Sequence, residues 1–221
     1  MSTSVADNLA QVSKEIDRMC RHTGAPVAQP RLIAVSKMQP EDRVIEALEA
    51  GHRVFGENRV QEAQGRWLPL KERFPDIELH LIGSLQSNKA GDAVALFDVI
   101  HSLDRIKLAD ALKKEMDAQG RNLPVYIQVN TGREEQKGGA SLEDLPGLVD
   151  HARKIGLNVV GLMVIPPVDD DPTLHFALLK KLAARHGLKG LSMGMSGDFA
   201  LAAAMGATDV RVGTAIFGNR S

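Results

Sequence analysis

The chain holds a single cysteine, Cys20, a single tyrosine, Tyr126, and a single tryptophan, Trp67, among 221 residues. One cysteine can form no internal disulfide and no cysteine metal cluster, which points to a reducing compartment. With 27 Lys and Arg against 28 Asp and Glu, the formal net charge is −1. That balance argues against a general nucleic-acid binder or a membrane-surface protein, both of which usually carry a basic face. No apolar run approaches the length of a membrane span. The N-terminus, MSTSVADNLAQVSKEIDRMC, is polar and amphipathic and has no apolar signal core. Low-complexity segments and long linkers are also missing. The expectation is a cytoplasmic protein whose residues 1–221 form one domain, long enough to bury a full core.

What the sequence does have is a rhythm. Eight short runs rich in β-branched residues recur at 32–37, 53–58, 77–83, 98–104, 125–130, 159–165, 190–195 and 209–217. Amphipathic stretches such as PEDRVIEALEAG and LDRIKLADALKKEMDAQG lie between them. Pro40, Glu41 and Asp42 mark one helix start, and Gly51, Gly120, Gly156 and Gly187 stand near helix ends. Strands alternating with helices predict a parallel sheet, and eight such units close a single (β/α)8 TIM-type barrel. Little chain remains after the eighth strand. An extra N-terminal helix over roughly residues 4–22 is expected to fill that gap in the outer ring. The rival is an open doubly wound sheet, which usually has a glycine-rich first turn; here that turn is SKMQPED.

A barrel of this kind works at the C-terminal ends of its strands. Those ends offer Lys37, Glu57 and Asn58, then Asp104, Asn130, Met163 and Ile165, and finally Met195, Ser196, Gly197, Arg211, Gly213 and Thr214. The set has no His pair, no Ser-His-Asp pattern and no metal-ligand spacing. A desolvated Lys37 at the mouth would have the lowered pKa that a Schiff-base lysine needs. On spacing alone, a strand-end lysine that snorkels to solvent is the plainer reading. In the turn MSGD, Ser196 is a candidate N-cap and Gly197 permits close approach of a ligand to the backbone. Gly213 and Thr214 add a second set of amides and a hydroxyl. Phosphate held by the loops after strands 7 and 8 recurs in this fold, and an ordinary capped helix with a glycine turn is the alternative. A phosphate end opposite a lysine suggests pyridoxal 5'-phosphate as cofactor. Arg211, two residues before Gly213 on the same face, could then reach the ring nitrogen, unless it serves a salt bridge inside the barrel.

The chain resembles the pyridoxal phosphate homeostasis protein family, small barrels similar to the N-terminal domain of alanine racemase. The likeness runs through AVSK, FGENRVQE, LHLIGSLQSNK, VNTGREEQKGG, LSMGMSGD and VRVGTAIFG. It departs from the family pattern at Leu79, where an aromatic is more usual, and at Met38-Gln39, where Thr-Lys is common. The resemblance implies that Lys37 holds the cofactor as a reversible aldimine. It also implies that Ser196, Gly197, Gly213 and Thr214 meet the phosphate, Arg211 the ring nitrogen, Asn58 the rim and Met163 the ring. His80, Gln86, Asn88, Lys89, Glu134 and Lys137 match the family pattern as entrance or supporting residues. For His80 a satisfied core histidine is the plainer reading, and for Lys137 a solvated loop lysine.

The cofactor leaves the activity open. A racemase needs a base on each face of the substrate carbon. Alanine racemase takes its second base from a partner chain's tyrosine, and here Tyr126 begins strand 5, at the wrong end. The resemblance implies a monomeric carrier, without a second catalytic base, that passes pyridoxal phosphate to apo-enzymes. A weak amino-acid racemase or other enzyme using this cofactor is the alternative. An aldolase-type barrel is a third reading, with Glu57 as the only carboxylate near the lysine.

Overall fold

A computed structural model describes residues 4–22, 28–134 and 136–218. Eight parallel strands close on themselves in chain order. They are β1 (Arg31–Val35), β2 (Val54–Glu57), β3 (Glu78–Leu81), β4 (Val99–Leu103), β5 (Val125–Gln128), β6 (Val159–Met163), β7 (Gly190–Ser192) and β8 (Asp209–Val212). The ring shuts where β8 pairs with β1 in the register Arg31↔Asp209, Ile33↔Arg211. The outer layer holds α2 (Glu41–Glu49), α3 (Val60–Arg73), α4 (Ala90–Leu96), α5 (Ile106–Gln119), α6 (Leu145–Lys154), α7 (Pro172–Arg185) and α8 (Phe199–Ala204). Before the ring comes α1 (Val5–His22), and after it α9 (Thr214–Phe217). The expected barrel and its extra N-terminal helix are both present.

The helix α1 shows why the chain needs it. Val5, Leu9, Val12, Ile16 and Cys20 are buried at spacings of three and four, a single apolar stripe. That stripe packs on α2, α8 and α9. Because α9 has only four residues, it cannot cover the β8–β1 seam alone. Burying a side chain such as Leu9 or Ile16 here contributes about 1.5–3 kcal/mol. Within the eighth run the strand stops at Val212, so Gly213 and Thr214 follow the last strand as expected, and the chain turns through Gly213 into α9.

The two faces of the sheet differ sharply. Residues facing the helices, among them Phe55, Leu79, Leu81, Ile100, Ile127, Leu162 and Val210, join one large apolar core. The interior face instead carries Tyr126, His80, His101, Ser192, Asp209 and Arg211, all buried. Side-chain alternation along each strand makes this division possible. Below the mouth the backbones of β6 and β7 come very close. A Cβ at Gly161 would stand 2.3 Å from the Gly190 carbonyl oxygen, and one at Gly190 would stand 2.7 Å from Tyr126 Cε1. The Tyr126 ring fills the room that these two glycines leave.

Gly161→Ala is therefore expected to destabilise the fold by about 1–3 kcal/mol through overpacking, read as a lowered urea midpoint. An unchanged midpoint would show that the β6–β7 seam can spread.

Candidate functional site

At the C-terminal ends of the strands lies a cavity of about 340 Å³. Its lining includes Lys37, Asn58, Ser196, Gly197, Arg211, Gly213 and Thr214, with Val35, Ile82, Ile165 and Met195 completing the walls. Seven of the eight residues expected to meet the cofactor thus line one cavity. Met163 is not in the lining. It is fully buried inside the barrel against Val99 and Tyr126, and Ile165, two residues on, takes the wall position. The period of two along β6 puts both on the same face, and the mouth is one step higher than Met163.

Lys37 sits in a short turn after β1 that is tied from outside the barrel. The guanidinium of Arg66, on α3, donates to the Ser36 carbonyl at 2.9 Å and to the Gln39 carbonyl at 2.6 Å. The Ser36 hydroxyl donates to Glu57 Oε1 at 2.8 Å, and Trp67 Nε1 donates to the same oxygen at 3.0 Å. Burial pushes the Glu57 carboxyl up, while the Trp67 and Ser36 donors and the nearby Arg66 charge oppose that rise. Glu57, the expected carboxylate beside the lysine, thus points away from the cavity and braces the lysine's turn. Met38 adopts φ 57°, left-handed for a side-chain-bearing residue. Strain of this kind persists where neighbouring contacts over-determine the backbone, and Arg66 supplies two such contacts.

The opposite wall is made by the turns after β7 and β8. Ser196 was expected to cap the helix that follows β7. Its hydroxyl instead accepts from the Gly213 and Ala215 amides, at 3.1 and 3.3 Å. It therefore caps α9, across the barrel seam, because α8 starts only at Phe199 with Asp198 before it. Two backbone donors thus converge on one oxygen at the cavity edge. At Gly197 a Cβ would meet nothing within 4 Å, so this backbone faces open space. At Gly213 a Cβ would press to 3.2 Å from the Val35 carbonyl oxygen, so a glycine fits the tight β8–β1 seam.

Arg211 forms the floor of the cavity and is 3% exposed. Its Nη1 donates to Ser192 Oγ at 2.6 Å and its Nη2 to the Val164 carbonyl at 2.8 Å. Burial draws the guanidinium down to about 10, against the opposing charges of Asp198 and Asp209. It remains a charged donor at neutral pH. Its hydrogen bonds go to neutral oxygens, so the salt-bridge alternative does not describe it.

The remaining sequence candidates spread out. His80 lies inside the barrel, with Nδ1 2.8 Å from His101 Nε2 and Nε2 2.9 Å from Glu78. Gln86 precedes a single 3-10 turn containing Asn88 and Lys89, and Lys89 donates to Asp92 at 3.3 Å. Lys137 Nζ stands 2.7 Å from Glu134 Oε2, close but poorly aligned for a hydrogen bond. It also donates to the Pro166 carbonyl at 3.3 Å. Tyr126 donates to Asp209 at 2.6 Å, deep in the barrel, and burial pushes its hydroxyl pKa up. Among the described residues no cluster of three or more His, Cys, Asp or Glu could hold a metal ion. Nor does any helix among them have the length and apolarity to cross a membrane. Sequence reasoning missed Arg66, Trp67 and His101. The first two act on a turn about thirty positions away in the chain, and only the packing of α3 reveals that.

The fold and this cavity define a barrel of the alanine racemase type: the family model described as alanine racemase, N-terminal domain, matches residues 8–221. The pyridoxal phosphate homeostasis protein of Pseudomonas aeruginosa is 41% identical over 100% of this chain and 97% of its own length. That of Escherichia coli is 38% identical over 98% and 97%. PipY of Synechococcus elongatus, in its structure without PLP, superposes with a TM-score of 0.88 at 38% identity, covering 97% of this chain and 100% of PipY. The PipY structure with PLP bound gives 0.83 at 37% identity, over the same shares of both chains. Alanine racemase of Corynebacterium glutamicum, 20% identical with a TM-score of 0.68, shares the fold; 97% of this chain matches 60% of that one. The chain belongs to the pyridoxal phosphate homeostasis protein family.

The open space at Gly197 separates binding from folding. Gly197→Val should leave stability within about 0.5 kcal/mol, as for a surface change, and abolish binding of inorganic phosphate measured by calorimetry. Retained phosphate binding would place the anion elsewhere.

Proposed function

We propose that this protein binds pyridoxal 5'-phosphate in the mouth cavity, holds it by a reversible covalent bond to Lys37, and releases it to apo-enzymes that use it. The observation that carries this reading is the meeting of three chemistries in one cavity. An amine, a buried guanidinium, and a turn pair with exposed backbone and hydroxyls line the same space. The donor set fits the group. Lys37 offers an amine for an aldehyde, and the turns at Ser196–Gly197 and Gly213–Thr214 offer a phosphate the Ser196 and Thr214 hydroxyls and the amides that Ser196 Oγ does not already hold. Arg211 keeps its proton and so donates to an unprotonated ring nitrogen. When bound, the cofactor supplies an electrophilic carbon and a ring able to accept electron density, an ability that such a donor leaves weak. The names of the relatives and the PLP-bound form of PipY support the same ligand.

Release, more than turnover, is the role this reading assigns. Racemisation needs a second base on the far side of the substrate, and the only tyrosine of the chain is engaged by Asp209 deep in the barrel. Arg66 and Glu57 hold the lysine's turn in place. Ser196 and Gly197 sit at the open edge, from which the phosphate end can leave. The reading takes the protein to act as a monomer in the cytoplasm.

Titration with pyridoxal phosphate, followed by visible absorption, tests this. The wild type should develop a band that Lys37→Ala lacks while keeping its circular dichroism. An equal band in the variant would assign the cofactor to another lysine. Arg211→Glu, which favours a protonated ring nitrogen, should shift that band. Unchanged spectrum and affinity would remove Arg211 from the site.

A further inference from the structure

Inside the barrel a chain of hydrogen bonds runs from the cavity to the opposite end. Arg211 Nη1 reaches Ser192 Oγ at 2.6 Å, and Ser192 Oγ lies 2.9 Å from His101 Nδ1. His101 Nε2 lies 2.8 Å from His80 Nδ1, and His80 Nε2 lies 2.9 Å from Glu78 Oε1. Ser192, His101 and His80 are at most 1% exposed. Glu78 is the first residue of β3, at the strand end remote from the cavity, where it pairs with Arg31. The His101 ring also stacks on Tyr126, with centroids 4.4 Å apart and planes 9° apart.

Counting protons fixes the direction of this chain. The guanidinium can only donate, so Ser192 Oγ accepts from it. The carboxylate of Glu78 can only accept, so His80 Nε2 carries a hydrogen. The hydrogen bond from His80, ahead of the opposing effect of burial, holds Glu78 below the usual carboxylate range, and the charge of Arg31 adds to it. With His80 neutral, its Nδ1 is bare and accepts from His101 Nε2–H. His101 Nδ1 is then bare in turn and accepts the Ser192 hydroxyl hydrogen. Every donor and acceptor in the chain is used once.

The rival arrangement has a doubly protonated His80 and a His101 ring protonated at Nδ1. It leaves the Ser192 hydrogen with no place in the chain. It also puts a cation between Arg31 on β1 and Arg211 on β8. The charged and titratable groups facing the two rings are Arg31, Glu78, Tyr126, Asp209 and Arg211. Burial, with the charges of Arg211 and Arg31 adding to it, keeps His101 neutral.

We infer that His101 and His80, both as neutral Nε2–H rings, are positioning residues for Arg211: they make Ser192 an acceptor locked onto its guanidinium, in a direction set by Glu78 at the far end of the barrel. The effect on cofactor affinity rests on the reading of the cavity given above, whereas the direction of the chain does not.

Two measurements separate these. In apo-protein labelled with 15N-histidine, long-range proton–nitrogen spectra report the tautomer of each of the seven histidines. At neutral pH, His80 and His101, assigned from variants, should both show a protonated Nε2 and a bare Nδ1. Glu78→Ala should let both rings populate Nδ1–H. A doubly protonated ring, an Nδ1–H ring in the wild type, or spectra unmoved by Glu78→Ala would overturn the inference. In the second measurement His101→Phe keeps the shape and the stacking on Tyr126 but removes the acceptor for Ser192. Pyridoxal phosphate affinity should fall roughly tenfold, as expected for loss of one buried hydrogen bond behind Arg211. His101→Asn, whose Oδ1 lies where His Nδ1 does, should recover most of that loss. Equal affinities for Phe and Asn would overturn the positioning role. A wild type that takes up no pyridoxal phosphate would overturn that role and the cavity reading together, with the tautomers still deciding the direction.

Discussion

The constraint on which the rest of the structure depends is a buried guanidinium. Arg211 lies 3% exposed between β8 and the interior of the barrel, bonded to Ser192 and to the Val164 carbonyl. A charge taken out of water costs several kcal/mol unless its hydrogen bonds and neighbouring charges offset that cost. The interior of this barrel is built to do so. Neutral oxygens meet Arg211 directly, Asp198 and Asp209 favour its charge from a distance, and Ser192 passes its own hydrogen on to the histidines. TIM barrels usually fill this space with branched apolar side chains. Here the apolar core is displaced outward, to the layer between strands and helices, and α1 and α9 are needed to finish that layer over the last seam.

The second constraint is the placement of an amine. Lys37 follows a strand whose register is fixed by β2 and β8, and a strand tip alone leaves the next residues loose. Arg66 removes that looseness by gripping the carbonyls on either side of the lysine, and Glu57 by accepting from the Ser36 hydroxyl. Each is itself held from the helix layer, Glu57 by Trp67. The reactive side of the turn therefore faces the cavity, and its supporting bonds face the core. Held in this way, the turn that carries Lys37 stays ordered whether or not a ligand is present, as the proposed binding and release would require.

Much of this could be read from the sequence, and the failures have a common cause. The eight strands and α1 follow from periodicity and from the glycines that end helices, which are local signals. The meeting of Lys37, Ser196, Gly197, Arg211, Gly213 and Thr214 follows from the rule that the working residues of a barrel sit at its strand ends. What escaped depends on contacts between distant segments. Ser196 caps α9 across a seam, which spacing within MSGD cannot show. Glu57 looked available because Trp67 and Arg66 enter only when α3 packs. Met163 stands one step too deep because the level of the mouth is set by the stagger of all eight strands. His101 was read as part of an ordinary strand, since neither a histidine pair nor its partner Ser192 is close in sequence.

The central claim is that Lys37 is the residue that holds pyridoxal phosphate covalently. The most direct measurement is borohydride reduction of the cofactor-loaded protein, followed by mass spectrometric mapping of the modified peptide. The account predicts a single stoichiometric adduct on the lysine of the sequence LIAVSKMQP. An adduct on Lys137 or another lysine, with Lys37 unmodified, would contradict it.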